Sequence, residues 1–138
     1  MYIKIPGSPI AKKRPRFARR GKFVTTYSDQ QTEEGKALAM IMGQVETRLR
    51  GPVSVSFVFQ LQRPKGHYGS GKNSGKLKES APKHPISKPD IDNYVKFYMD
   101  VLNDCAWVDD CQVFQLSAVK LYSDNCEPLT SIVITELP

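Results

Sequence analysis

Lys88 to Val113 reads KPDIDNYVKFYMDVLNDCAWVDDCQV, and its periodicity changes from helical to extended along the way. Ile91, Val95, Tyr98 and Leu102 recur at the spacing of one helix face. A helix is therefore predicted from Pro89 onward, with Asp90 or Asp92 at its start and a proline just upstream, where proline is at home. Asp109 and Asp110 end the turn that follows the helix. Gln112 to Tyr122 then alternates as a strand does, with Val113, Gln115, Ser117, Val119 and Leu121 on one side and Phe114, Leu116, Ala118 and Lys120 on the other.

The flanking sequence extends this helix and strand into a fold. Val53, Val55, Phe57, Phe59 and Leu61 alternate with Ser54, Ser56, Val58, Gln60 and Gln62, the pattern of a long strand with one buried face. Met1 to Ile5 reads as a short edge strand stopped by Pro6, Gly7 and Pro9, Phe23 to Tyr27 as a brief strand, and Thr130 to Leu137 as a last, β-branched one. Ser28 or Asp29 is a natural cap for a second helix. Thr32, Glu33 and Glu34 lie in its first turn, and the stripe Ala37, Met40, Ile41, Val45 and Leu49 runs until Gly51 and Pro52. Between Arg63 and Ser87 the pattern vanishes into Gly, Ser and Lys, and so long a connection is expected to be a mobile functional loop or locally disordered. The fold class expected is α+β: a single domain over residues 1–138, with a mixed sheet of about four to five strands and two main helices in the order β-α-β-loop-α-β-β. A chain of 138 residues can bury roughly two thirds of its unfolded surface around one core.

Charge is unevenly distributed. Lys12 to Lys22 holds Lys12, Lys13, Arg14, Arg16, Arg19, Arg20 and Lys22 with no acid, and Lys65 to His84 holds five lysines against Glu79 alone. These segments carry +7 and +4, so the rest of a chain whose total is +6 is net −5. An acidic body with two basic segments attracts a polyanion and then holds it beside carboxylates that a cation makes tolerable. Cys105, Cys111 and Cys126 are odd in number and form no CxxC, so neither a disulfide framework nor a thiolate zinc site is expected, and reduced cytoplasmic thiols are. MYIKIPGSPIAKKRPR lacks the charge order of a secretory signal, and no apolar run has the length of a membrane span.

Hydrolysis of a phosphodiester requires an activated water, neutralised phosphate oxygens and a stabilised leaving oxygen, and magnesium held by carboxylates serves all three. Hard oxygen ligands without histidine or cysteine suit Mg2+, with Mn2+ an alternative, better than zinc. Asp90 and Asp92 project to one side if the chain is still extended there, and Asp110, reached after the helix, can return to meet them. Lys96 follows Asp92 by one helical turn and can hold that carboxylate or contact the phosphate, with Asn93 a supporting partner. Each residue also has a plainer role: helix caps for Asp90 and Asp92, a surface ion pair for Asp92 with Lys96, a polar turn for Asp109 and Asp110, a core anchor for Trp107. On composition and spacing alone, the chain is a metal-dependent nucleic-acid enzyme or a non-catalytic junction- or single-strand-binding protein.

KPDIDNYVKFYMDVLN followed by WVDDCQV closely resembles the signature of the RusA family of Holliday-junction resolvases, which phages and prophages commonly carry. Asp90, Asp92, Asn93, Lys96, Asp100, Asp110, Gln112 and Val113 stand at matching positions, and IPGSPIAKKRPRF is similar to the family's opening strand and basic loop. The resemblance implies metal-binding catalytic aspartates at Asp90, Asp92 and Asp110, with Asp109 a lesser candidate, and an essential lysine at Lys96. It implies magnesium, no small-molecule cofactor, and a homodimer with two active sites that makes paired symmetrical nicks in a four-way junction during DNA recombination and repair. A two-fold substrate would then meet a two-fold protein. Lys12, Lys13, Arg14, Arg16, Arg19, Arg20 and Lys88 are expected on the DNA backbone. The Lys65–His84 loop is longer than the family's pattern, so a nuclease for other branched DNA is the neighbouring alternative.

Overall fold

The computed structural model describes residues 1–14, 16–27, 30–124 and 126–138, apart from the side chains at 16–18, 20, 26 and 27. Among the described residues six strands and two α-helices follow one another as β1 (Tyr2–Pro6), β2 (Arg16–Arg20), β3 (Phe23–Tyr27), α1 (Gln31–Met42), β4 (Val53–Leu61), α2 (Ile91–Leu102), β5 (Val113–Tyr122) and β6 (Leu129–Glu136). The main sheet has the order β1-β6-β4-β5. β6 runs antiparallel to both β1 and β4, whereas β5 runs parallel to β4. The architecture is α+β with a four-stranded mixed sheet, as expected, and β2 and β3 form a separate antiparallel hairpin.

β4 carries the strongest signal in the chain. Val53, Val55, Phe57 and Phe59 are all buried, and the intervening residues are half-buried. Side chains two apart along a strand share a face, so this alternation commits one face of the sheet to the core. α2 covers that face with Tyr94, Phe97, Tyr98, Val101 and Leu102. The ring of Phe59 lies 5.2 Å from that of Tyr94 and 5.8 Å from that of Tyr98. Burying each such side chain contributes about 1.5–3 kcal/mol. The buried stripe of α2 is rotated from the expected one: Ile91 and Val95 sit at its margin, while Tyr94 and Phe97, too close in sequence to polar neighbours to stand out, lie at its centre.

Three expectations require correction. The first helix stops at Met42, with Gly43 as its cap, and does not continue to Gly51. Val45 and Leu49 still pack on the core, but from irregular chain tied down when the Leu49 N–H donates to the Ala106 carbonyl. Residues 16–20, expected inside a basic loop, form β2, because Phe23 to Tyr27 has that segment as its antiparallel partner. The Ser28 or Asp29 cap lies outside the described residues; the residue ahead of α1 is Gln30.

The third correction concerns 63–87, which is built and not formless. It holds short 3-10 turns at Lys65–His67 and Gly71–Asn73 and a bridge from Tyr68 to Leu77. Arg63 organises it: with 3% of its side chain exposed, it pairs with Asp124, donates from Nη1 to the Pro82 carbonyl at 2.6 Å, and lies 4.1 Å from the ring centroid of Tyr122. A planar guanidinium has five donors and two stacking faces, so one buried arginine joins three segments of the chain.

Candidate active site

α2 begins where the acidic pair begins. Asp90 is its cap residue and is extended (φ −68°, ψ 148°), yet its carboxylate makes no capping hydrogen bond. The helix winds from Ile91, so Asp92 falls in the first turn, and only Asp90 meets the condition of an extended DxD. Asp92 and Lys96 are both exposed and form no ion pair with each other among the described residues. Among the described residues, then, neither the capping hydrogen bond nor the ion pair of the plainer readings is formed by these side chains. Two carboxylates at a helix N-terminus gain from its dipole by about 0.3–1 kcal/mol each, which offsets part of their repulsion.

Asp109 and Asp110 differ sharply despite being neighbours. Asp109 caps the 3-10 turn Asp110–Gln112, its carboxylate accepting the Cys111 N–H at 2.9 Å. That backbone N–H holds the Asp109 carboxyl below its usual range. The Gln112 side chain completes the motif, accepting from the N–H groups of Val108 and Asp109 and donating to the carbonyls of Leu49 and Gly51. Asp109 thus serves the turn. Asp110 is half-buried, and its Oδ1 accepts from Nε1 of the fully buried Trp107 at 2.8 Å. Oδ2 has no partner among the described residues. Trp107 is a core anchor, as expected, and also the donor that aims Asp110; the spacing of three residues was the available signal.

The fold sets Asp110 apart from Asp90 and Asp92. α2 runs back along the sheet, antiparallel to β4 and β5: Tyr94, near its start, stacks on Phe59 at the far end of β4, and Lys120, near the end of β5, donates to the carbonyls of Ser87 and Pro89, both at 3.0 Å. Asp110 lies before the first residue of β5, beside the opening of β4, where Gln112 reaches Leu49 and Gly51. A twelve-residue helix and the seven steps from Val113 to Lys120 each span roughly 20 Å. Among the described residues no group of three or more His, Cys, Asp or Glu side chains is near enough to share a metal ion. The expected convergence of three aspartates does not occur within one chain, because the helix between them carries the chain the length of the sheet.

The basic residues divide in two. Lys12 reaches Glu34 at 2.9 Å and Asp100 at 3.0 Å, and Lys13 reaches Glu33 at 3.3 Å, so both clip the ends of helices. The hydrogen bond to Glu34 raises the Lys12 pKa above its ordinary value. Arg14, Arg19 and Lys88 are exposed, whereas the side chains of Arg16 and Arg20 lie outside the described residues. Residues 8–13 line one cleft with Pro89 and Asn93, and the Lys12 N–H donates to the Asn93 carbonyl at 2.9 Å. The basic hairpin therefore springs from beside the N-terminus of α2. Lys120, which pins the Ser87–Pro89 approach to Asp90, was not singled out by sequence, where it reads as one polar position in an alternating strand.

The family described as Endodeoxyribonuclease RusA matches residues 6–135. A relative in Bacillus subtilis (strain 168), the uncharacterized protein YqaN, is 37% identical over 137 residues, which span 95% of this chain and 92% of that protein.

Proposed function

Because the chain belongs to the RusA endodeoxyribonuclease family, we propose that it is a magnesium-dependent nuclease that resolves four-way DNA junctions by paired symmetrical nicks, acting as a homodimer in DNA recombination and repair. The observation that carries this reading is the start of α2, where Asp90 and Asp92 have no hydrogen-bond or ion-pair partner among the described residues and stand beside the exposed Lys96 and the root of a basic hairpin. Free carboxylates, with no histidine or thiol among them, are a donor set for Mg2+ or Mn2+. Such an ion, when bound, activates water and offsets charge on the phosphate. The chain's own contributions are separable. Lys96, one turn beyond Asp92, would lie against the scissile phosphate, and Lys88, Arg14 and Arg19 would hold the flanking backbone in place.

One chain supplies Asp90 and Asp92 to such a site but not Asp110. A homodimer resolves the geometry if each site takes Asp90 and Asp92 from one copy and Asp110 from the other. Complementation tests this directly. Asp90→Asn and Asp110→Asn homodimers should each bind a synthetic four-way junction and fail to cleave it with Mg2+. Mixed and refolded together, they should recover cleavage, because a heterodimer of the two keeps one site with all its carboxylates. Cleavage by the Asp90→Asn protein alone would overturn the site; inactive mixtures would return Asp110 to a role within its own chain. A panel of flaps, forks and four-way junctions checks the substrate.

A further inference from the structure

The long connection from Arg63 to Ser87 has a shape that a solvated linker does not need. The Gly69 N–H donates to the Lys76 carbonyl and the Lys78 N–H to the His67 carbonyl, both at 2.9 Å, so residues 67–69 and 76–78 form a small antiparallel ladder. Its turn requires glycine: Gly71 and Gly75 have φ of 59° and 79°, and a Cβ at Gly69 would stand 2.6 Å from that of Asn73. The buried Arg63 and the ring of His67, edge-on to Tyr122 at 5.6 Å, seat the ladder on the end of β5. The connection displays Lys65, Lys72, Lys76, Lys78 and Lys83, all exposed, and none of their ammonium groups has a hydrogen-bond or ion-pair partner among the described residues. A charge run kept only for solubility works equally well unfolded, whereas like charges fixed in place gain from a polyanion.

The place of the ladder decides what it meets. Pro6 at the end of β1 pairs with Leu129, as does Gln60 of β4, and Leu61 pairs with Tyr122. The chain therefore leaves β1 and β4 at one end of the sheet, the end where Lys120 holds the Ser87 and Pro89 carbonyls and α2 begins. The hairpin of β2 and β3 departs from the β1 side, ahead of α1, while the ladder sits on the β5 side, three strand spacings or about 14 Å across. α1 packs against β1 and α2, and α2 against β5, so the start of α2 lies between the two basic arms. We infer that the 67–78 ladder is a second clamp on the DNA backbone. It binds a stretch of phosphates separate from the one held by the first hairpin, on the opposite side of Asp90 and Asp92. This rests on the nuclease reading above and names a further surface by which the substrate is held. One arm alone would let a strand swing about a single point of attachment; two arms fix its direction past the carboxylates.

The test is a hydroxyl-radical footprint of a synthetic four-way junction at saturating protein, taken without Mg2+ so that binding is read apart from cleavage. The parent protein should protect two separate stretches of backbone. The Lys72→Ala, Lys76→Ala, Lys78→Ala variant should keep the parent's circular dichroism and lose one stretch. Its slope of log affinity against log salt should fall by about two to three. The Arg14→Ala, Arg19→Ala variant should lose the other stretch. An intact footprint or an unchanged slope in the lysine variant, loss of both stretches alike, or loss of the same stretch in both variants overturns the inference. Should the lysine variant misfold, Gly69→Ala gives an independent reading, because its Cβ opens the turn and leaves every charge in place. Its junction affinity should fall several-fold, and affinity equal to the parent's overturns the inference equally. A lysine variant that binds and cleaves as the parent does removes the ladder from the DNA and leaves the nuclease standing. A parent with both stretches protected and no cleavage does the reverse.

Discussion

Among the described residues Asp110 is aimed by a single side chain, since the indole N–H of Trp107 fixes Oδ1 and Oδ2 has no partner there. Outer hydrogen bonds to metal-ligating groups are commonly worth about 10–100-fold in metal affinity. Trp107→Phe keeps most of the ring and removes that donor, so the Mg2+ concentration for half-maximal cleavage should rise about 10-fold or more. A titration in which this variant needs no more Mg2+ than the parent would make Trp107 a packing residue alone. Glu136 offers a second prediction at this scale. Its carboxylate accepts the N–H groups of Arg50 and Gly51, which depress its pKa in the folded state. The sign follows: the stabilisation is present above the unfolded pKa, about 4.3, and is lost as pH falls through the lower folded value. Glu136→Gln should flatten the loss of thermal stability between about pH 5 and 3, and an unchanged acid profile would contradict this.

At the scale of elements, α2 both seals the core and carries the acidic pair, so its seating sets where the proposed site stands. Tyr98 seats it: its buried hydroxyl accepts from the Ile10 N–H at 3.1 Å and from the Thr130 hydroxyl at 3.2 Å, tying the helix to the segment after β1 and to β6. Burial raises the Tyr98 pKa, so the phenol stays protonated. Tyr98→Phe leaves the Ile10 N–H and Thr130 without that partner, and chemical denaturation should show a loss of about 1–3 kcal/mol. A neutral outcome would mean that water replaces the hydroxyl. Strand β4 was legible because period-two burial persists over eight of its nine residues. The hairpin strand β2 was not, since RFARR offers few apolar positions and pairs only because Phe23–Tyr27 is beside it.

At the scale of the molecule, a net-acidic body carries basic segments, and no helix among the described residues is long and apolar enough to cross a membrane. If about six phosphates are neutralised on binding, the logarithm of junction affinity should fall with the logarithm of salt concentration at a slope near −5. Changing Arg14 and Arg19 to Ala should lower that slope by about two; an unchanged slope would remove the hairpin from the DNA. By itself the sequence determined the fold class, the main strands, the helix behind Asp90 and the family, because periodicity and motif spacing are local and survive without coordinates. Tertiary structure alone decided that Asp109 caps a turn while Asp110 is aimed by Trp107, that Arg63 binds the long loop into a shape, and that Asp110 stands about a strand's length from Asp90. Those facts depend on which way α2 runs across the sheet, and direction of packing is not written in the spacing of residues along a chain.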